Sequence, residues 1–129
     1  MKTISVIIPY FNSEDTVIRA LQSVVNQTFN DYEIILIDDG SMDNSYNVVC
    51  GFMQKHANID FKHYRQKNTG PAEARNLGAS KSHARYLAFL DADDDWVSNK
   101  LEIQIKMLAV HDIDLLGSNI NIKIGRAHV

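Results

Sequence analysis

Four carboxylates stand within five residues in Asp91-Ala92-Asp93-Asp94-Asp95, directly after the apolar run Tyr86-Leu87-Ala88-Phe89-Leu90 and just before Trp96. Like charges at this density repel, so solvent, hydrogen bonds or a cation must compensate them if they are to stay ionised. Carboxylate oxygens are hard ligands suited to Mg²⁺ or Mn²⁺, and an ion held this way can in turn hold a substrate phosphate. The same residues also read more plainly as a solvated acidic loop that caps the next helix. Position favours chemistry. A short apolar run bounded by polar residues is the pattern of a strand buried on both faces, and such a strand delivers the acids to its C-terminal end. In open α/β sheets that edge forms the ligand crevice.

The strand needs a sheet around it, and the rest of the chain supplies the elements. Ser5-Val6-Ile7-Ile8, closed by Pro9, is a first buried strand. Asn12 or Ser13 is predicted to cap a helix that carries Val17, Ala20, Leu21, Val24 and Val25 on one face and runs to about Gln27, with Glu14 and Asp15 at its positive end. Glu33 to Asp38 is a second strand, and it ends in Asp38-Asp39-Gly40-Ser41, so two more acids reach the same edge. Turn chemistry and capping explain either acid equally well. Asp43 or Asn44 caps a second helix built on Val48, Val49, Phe52 and Met53, and Ile59 to Tyr64 alternates as a strand near a sheet edge would. Gly70-Pro71 marks a loop entering a third helix, whose free amides suit an anion. Arg75 adds a charge there or pairs with the nearby carboxylates.

Beyond the acids, Leu101, Ile105 and Leu108 define a helix opened by Ser98 or Asn99. Leu115-Leu116 and then Ile120, Ile122 and Ile124 are predicted as extended chain with one apolar face that awaits cover, and Gly125-Arg126-Ala127-His128-Val129 fits no element. The alternation of strand and helix predicts a doubly wound, Rossmann-like α/β fold, a mostly parallel sheet with helices on both faces. One interrupted domain over residues 1–129 is the expected organisation.

Composition narrows the class. With 45% hydrophobic and 22% charged residues the chain is ordinarily globular, and a net charge of −3 argues against nucleic acid as a partner. Cys50 is the sole cysteine, so no internal disulfide forms and a reducing, cytoplasmic setting is expected. The apolar run before Pro9 is too short for a signal peptide or a membrane span. His56, His63, His83, His111 and His128 show no ligand spacing, which disfavours a transition-metal site. The first strand is not followed by G-x-G-x-x-G, which counts against a dinucleotide-dependent enzyme.

Five stretches taken together resemble something specific. Ser5-Val6-Ile7-Ile8-Pro9 with Asn12, Ser23-Val24-Val25-Asn26-Gln27-Thr28-Phe29, Glu33 through Ser45, Gly70-Pro71-Ala72-Glu73-Ala74-Arg75-Asn76 and Phe89-Leu90-Asp91-Ala92-Asp93-Asp94 closely resemble the successive motifs of the family 2 glycosyltransferases, in the right order and over nearly the whole chain. The resemblance implies the GT-A nucleotide-binding fold and transfer of a sugar, with inversion, from a nucleotide-diphosphate donor to a glycan or lipid-linked acceptor in polysaccharide biosynthesis. It implies that Pro9 and Phe11 lie beside the base, that Asp39 hydrogen-bonds the base and that Arg75 belongs to the donor site. Asp91-Ala92-Asp93 is then the D-x-D motif, with Asp93 and its neighbour Asp91 holding Mg²⁺ or Mn²⁺ against the diphosphate. UDP is the commoner donor nucleotide among such proteins.

In that family the general base comes from later in the domain, and no matching acid follows Asp114. The chain therefore resembles a donor-binding half, inactive alone, placed in the cytoplasm or at the inner face of a membrane. A competing reading of another class is a nucleotide-sugar-binding fragment without turnover that self-associates through the Ile120, Ile122, Ile124 face. Two further enzyme types fit worse. A haloacid-dehalogenase-type phosphatase wants Thr or Val where Asp95 stands, and the order of motifs does not suit a response-regulator receiver.

Overall fold

The computed structural model describes residues 2–111, 120–124 and 127–128, and the side chains of residues 2–109. Strand β1 (Ile4–Tyr10), helix α1 (Val17–Val25), β2 (Tyr32–Asp38), α2 (Ser45–Lys55), β3 (Asp60–Arg65), α3 (Pro71–Ser80), β4 (Tyr86–Phe89), α4 (Lys100–His111), β5 (Ile120–Ile124) and β6 (Ala127–His128) follow in order. The sheet runs β3-β2-β1-β4-β5-β6. The first four of these strands are mutually parallel, whereas β5 pairs antiparallel with β4 and β6 antiparallel with β5. The weak third strand is indeed at an edge. Ala127 and His128 correct the expectation that the last residues fit no element, because they pair with Ile124 and Lys123. The face of Ile120, Ile122 and Ile124, the Leu115-Leu116 pair, and Asp114 lie outside the described side chains.

Alternation along β1 explains the double burial. Ile4, Val6, Ile8 and Tyr10 join Ile34, Leu36 and Ala88 against α1, α2 and α4, whose Leu21, Val24, Phe52 and Leu101 complete that core. Ile7, Ile35, Ile37 and Leu87 face the other way and meet Ala74 and Leu77 of α3. Fully burying each such aliphatic side chain contributes about 1.5–3 kcal/mol, so both faces hold the sheet. Helix α3 comes closest. A Cβ on Gly78 would stand 2.5 Å from Cγ2 of Ile7, so only glycine allows this approach, while a Cβ on Gly51 of α2 would meet open space.

Several predicted caps are replaced by longer-range contacts. Helix α1 starts at Val17 with Thr16 at the N-cap position, while the Asn12 side chain accepts from the Met42 amide and the Ser13 amide donates to Ser45 Oγ. It ends at Val25 rather than Gln27. Asp43 caps α2 from one residue before the N-cap, its Oδ1 accepting the Ser45 amide and hydroxyl, whereas Asn44 makes no side-chain cap bond. At the start of α4 the Leu101 amide donates to Gln27 Oε1 at 3.0 Å, so part of the capping expected of Ser98 or Asn99 comes from a distant side chain.

Where β1, β2 and β3 end on the α2 side, a polar network is enclosed. Tyr10 Oη lies 2.6 Å from His63 Nε2, the His63 ring stacks on Tyr46, and Cys50 Sγ is 3.9 Å from His63 Nδ1. The Arg65 guanidinium covers the Tyr46 ring and bonds Asp38. Burial, with the Asp38 charge behind it, pushes the Tyr10 hydroxyl far up, so it stays protonated. Burial also lowers the His63 pKa, against the opposing pull of Asp38. Tyr10 Oη and His63 Nε2 share one hydrogen bond, its direction set by which ring nitrogen carries the proton.

Two predictions follow from this packing. Gly78→Ala should lower stability in urea titration, because overpacking of about 1–3 kcal/mol exceeds the helix-propensity gain of about 1 kcal/mol, while Gly51→Ala should raise it by up to about 1 kcal/mol. Because His63 is held neutral, the unfolded chain binds its proton more readily, and stability should fall as pH drops from about 6.5 toward the lower folded value. His63→Gln should flatten that slope of Tm against pH; an unchanged slope would place the titration elsewhere.

Candidate functional site

Register brings the chemistry together. The sheet order reverses at β1, since the chain steps outward to β2 and β3 and then returns past β1 to β4. The Asp39 amide donates to the Tyr10 carbonyl and the Leu90 amide to that of Ile7, so the loops that carry Asp39 and Asp91 leave from either side of the end of β1. Between them opens a cavity of about 560 Å³ at the C-terminal ends of the strands. Pro9, Phe11, Asp39, Asp91, Ala92 and Asp93 all line it, as does the first turn of α3 at Gly70, Pro71 and Ala74. That is the crevice expected of a reversal in an open α/β sheet.

Phe11 holds a large ring 43% exposed beside this cavity. An aromatic left in solvent beside a polar pocket is a ready stacking surface. Next to it Asn12 adopts φ of 48°, a left-handed conformation that asparagine tolerates better than most residues. Its Oδ1 accepts from the Met42 amide at 2.8 Å, and its own amide donates to Ser41 Oγ at 2.9 Å. The loop bearing Phe11 is thereby tied to the loop after Asp39.

The two acids that end β2 part company. Asp38 is fully buried, accepting from the Ser41 amide at 2.8 Å and from Arg65 Nε at 3.2 Å. It is an anchor for the turn, the plainer of the two readings left open for it. Asp39 faces the cavity, and its Oδ1 accepts from Gln66 Nε2 and the Thr69 amide while Oδ2 accepts from the Gly70 amide at 3.1 Å. A carboxylate has about four lone-pair directions, so Oδ2 keeps capacity for one more donor. Gly40, at φ of 81°, lets the Asn68 backbone pass so close that a Cβ would meet its nitrogen at 2.9 Å.

The acid loop is handled group by group. Asp91 accepts from Arg75 at 3.1 Å, Asp95 pairs with Arg19 at 3.6 Å, and Asp94 Oδ1 accepts the Asp95 amide. Arg75 thus stands beside the cavity through Asp91 rather than lining it. Both partners of that pair are substantially exposed, 40% and 60%, and exposed pairs contribute about 0–1 kcal/mol, so the pair exchanges readily for a stronger ligand. The Asp93 carboxylate has no partner among the described residues. Trp96 is packed against the core and so closes the loop rather than shaping the cavity.

Asp91 and Asp93 are the groups able to hold a divalent ion. Their donor set fits one: both are exposed oxygen ligands on the cavity wall, and among the described residues no three His, Cys, Asp or Glu side chains form a cage. Mg²⁺-like ions are commonly bound by one or two carboxylates and take their other ligands from water and phosphate. The first turn of α3 does not supply the free amides expected of it at the cavity wall: Pro71 has no N–H, the Gly70 amide donates to Asp39, and the Ala74 amide donates to the Gly70 carbonyl.

Sequence reasoning missed three supports: Arg19, the left-handed clamp of Asn12, and the carboxamide of Gln27. Only Asn12 carried a signal, since asparagine is enriched at positive φ. The contacts of Arg19 and Gln27 reach 70 or more positions along the chain.

The model of the family described as "Glycosyl transferase family 2" matches residues 5–126. An uncharacterized glycosyltransferase of Rickettsia bellii is 45% identical over 105 residues, 81% of this chain and 15% of that protein. An Escherichia coli UDP-Glc:alpha-D-GlcNAc-diphosphoundecaprenol beta-1,3-glucosyltransferase is 35% identical over 119 residues, 92% of this chain and 46% of its own length. Among solved structures, S. aureus TarS 1-349 in complex with UDP superposes with a TM-score of 0.79 at 28% identity, covering 88% of this chain and 34% of that one. The mannosyltransferase PcManGT of Pyrobaculum calidifontis, in complex with GDP-Man and Mn²⁺, shares the fold at a TM-score of 0.79 and 21% identity, over 84% of this chain and 32% of its own. This chain spans less than half the length of these relatives. Among the described residues no helix is long and apolar enough to cross a membrane. With its motifs matched from residue 5 to 126 and gathered on one crevice of a GT-A sheet, the chain belongs to glycosyl transferase family 2.

Proposed function

We propose that the chain forms the donor site of an inverting, metal-assisted glycosyltransferase that takes a UDP-sugar and serves a carbohydrate or lipid-linked acceptor. One observation carries the reading: an exposed aromatic, an acceptor carboxylate and a partnerless carboxylate line the same strand-end cavity, at Phe11, Asp39 and Asp93. Phe11 and Pro9 take the face of the base. The free capacity of Asp39 Oδ2 suits a base edge that presents an N–H, as uracil does. Asp93 and Asp91 would hold Mg²⁺ or Mn²⁺, and Arg75, released from Asp91, turns its charge to the diphosphate. Such an ion, when bound, supplies Lewis-acid stabilisation of the charge that gathers on a departing nucleoside diphosphate. One relative, S. aureus TarS, solved with UDP and with UDP-GlcNAc, supports the choice of uridine. No general base is assigned among the described residues.

Calorimetric titration of the chain with UDP, GDP and TDP, each with Mn²⁺ or with EDTA, tests this. UDP with Mn²⁺ should bind best, and EDTA should weaken it by about tenfold or more, equivalent to at least ~1.4 kcal/mol. Asp93→Ala should abolish the metal-dependent part and leave uridine binding intact. Phe11→Ala should weaken uridine and UDP alike, by the ~1–3 kcal/mol that stacking on a base is worth. A folded chain that binds none of the three nucleotides, or an Asp93→Ala chain that keeps full Mn²⁺-dependent binding, would sink the reading.

A further inference from the structure

The Asp93 side chain has no partner among the described residues, but the backbone that presents it is held. Arg19 Nη2 of α1 donates to the Asp93 carbonyl at 2.8 Å. Past the acids, the chain is held again at the far end of the same helix. Gln27 is 7% exposed, and its carboxamide donates through Nε2 to the Val97 carbonyl at 2.7 Å and to the Ser23 carbonyl at 3.1 Å. Its Oε1 accepts the Leu101 amide at 3.0 Å. Beside it the Thr28 amide donates to the Ser98 carbonyl at 2.8 Å. Gln27 thus meets two carbonyls and one amide at once. Of side chains this long, only a carboxamide offers two donors and an acceptor from one planar end; glutamate would face both carbonyls with negative oxygen, and methionine would remove all three bonds, leaving the Val97 carbonyl with the Lys100 amide alone.

The metal-side acids depend on this mount. Among the described residues no partner fixes the Asp93 side chain, so the position of its carboxylate follows that of the loop backbone, which Arg19 holds at Asp93 and Asp95, Trp96 seats against the core and Gln27 holds at Val97. Burying the clamp gives it leverage, because water does not replace a lost hydrogen bond there. We infer that Gln27 is a positioning residue that holds the Asp91–Val97 loop in the place where its carboxylates meet a divalent cation, an inference that rests on the donor-site reading above. Gln27 touches neither nucleotide nor ion. It acts through the loop, and it spares the base end of the cavity, which is built from the other side of β1.

The test compares Gln27→Met, which keeps the volume, and Gln27→Glu, which keeps one acceptor, with Tyr32→Phe. Tyr32 donates to the Val24 carbonyl at 3.1 Å in the core, so its loss removes a buried hydrogen bond from the same end of α1 without touching the loop. Mn²⁺ binding is read by electron paramagnetic resonance with and without UDP, uridine binding by calorimetry, and folding by urea titration. Either Gln27 variant that folds should bind Mn²⁺ and Mn²⁺–UDP roughly tenfold or more weakly, within the range seen when groups behind metal ligands are removed. Its affinity for uridine without metal should stay at the wild-type value, and Tyr32→Phe should leave both affinities unchanged. Folded Gln27 variants with wild-type Mn²⁺ affinity overturn the inference alone, as does a loss of uridine affinity in step with that of Mn²⁺. A wild-type chain that binds no Mn²⁺–UDP overturns both this and the donor-site reading.

Discussion

Strand β1 is hydrogen-bonded along both edges, to β2 on one side and to β4 on the other, and its side chains are buried on both faces. A strand so enclosed offers polar chemistry no place along its length. It can only hand the chain on at its ends. At the C-terminal end the register sets Asp39 beside Tyr10 and starts the acid loop above Ile7, so the two acidic loops are fixed against one rigid rod. Gly78 draws α3 onto the reverse face closely enough that its first turn reaches the same crevice. The cavity is a consequence of this packing, and the loops around it furnish the groups.

Those groups show how a fold accommodates many carboxylates in a small volume. Asp38 is neutralised by Arg65 and a turn amide, Asp39 by three donors of the 66–70 loop, Asp91 by Arg75, and Asp95 by Arg19. The compensation is graded. The two buried acids, Asp38 and Asp39, have fixed partners that shape the backbone, whereas the exposed Asp91 and Asp95 have exposed partners and Asp93 has no partner among the described residues. Exposed pairs cost little to break, so the charge that a cation would meet is concentrated where the structure holds it least tightly.

The strand and helix elements, the parallel sheet with its weak edge strand, and the role of the acid loop as a strand terminus were legible from hydrophobic patterning. Apolar runs without alternation require cover on both faces, and Gly70-Pro71 announces the start of α3 whatever surrounds it. Element ends were less legible. Asn12 and Ser13 have the chemistry of caps, yet Asn12 spends its side chain on the 41–43 turn, and the first turn of α4 takes a hydrogen bond from Gln27. Local propensity ranks capping residues; it does not register a competing partner that arrives from another element.

The sequence by itself determined which residues are buried, which strands are parallel in kind, and where acids must emerge, because burial pattern and strand termination are local properties of the chain. Its motif order also pointed to the family. Tertiary structure alone decided that Asp38 anchors while Asp39 faces the cavity, that Arg75 pairs with Asp91, and that Trp96 closes the loop against the core. It also decided that Arg19 holds the acid loop at Asp93 and Asp95 and Gln27 holds it at Val97. Each of those outcomes depends on two segments meeting after the sheet has set their register, and composition or spacing within one segment carries no trace of the other.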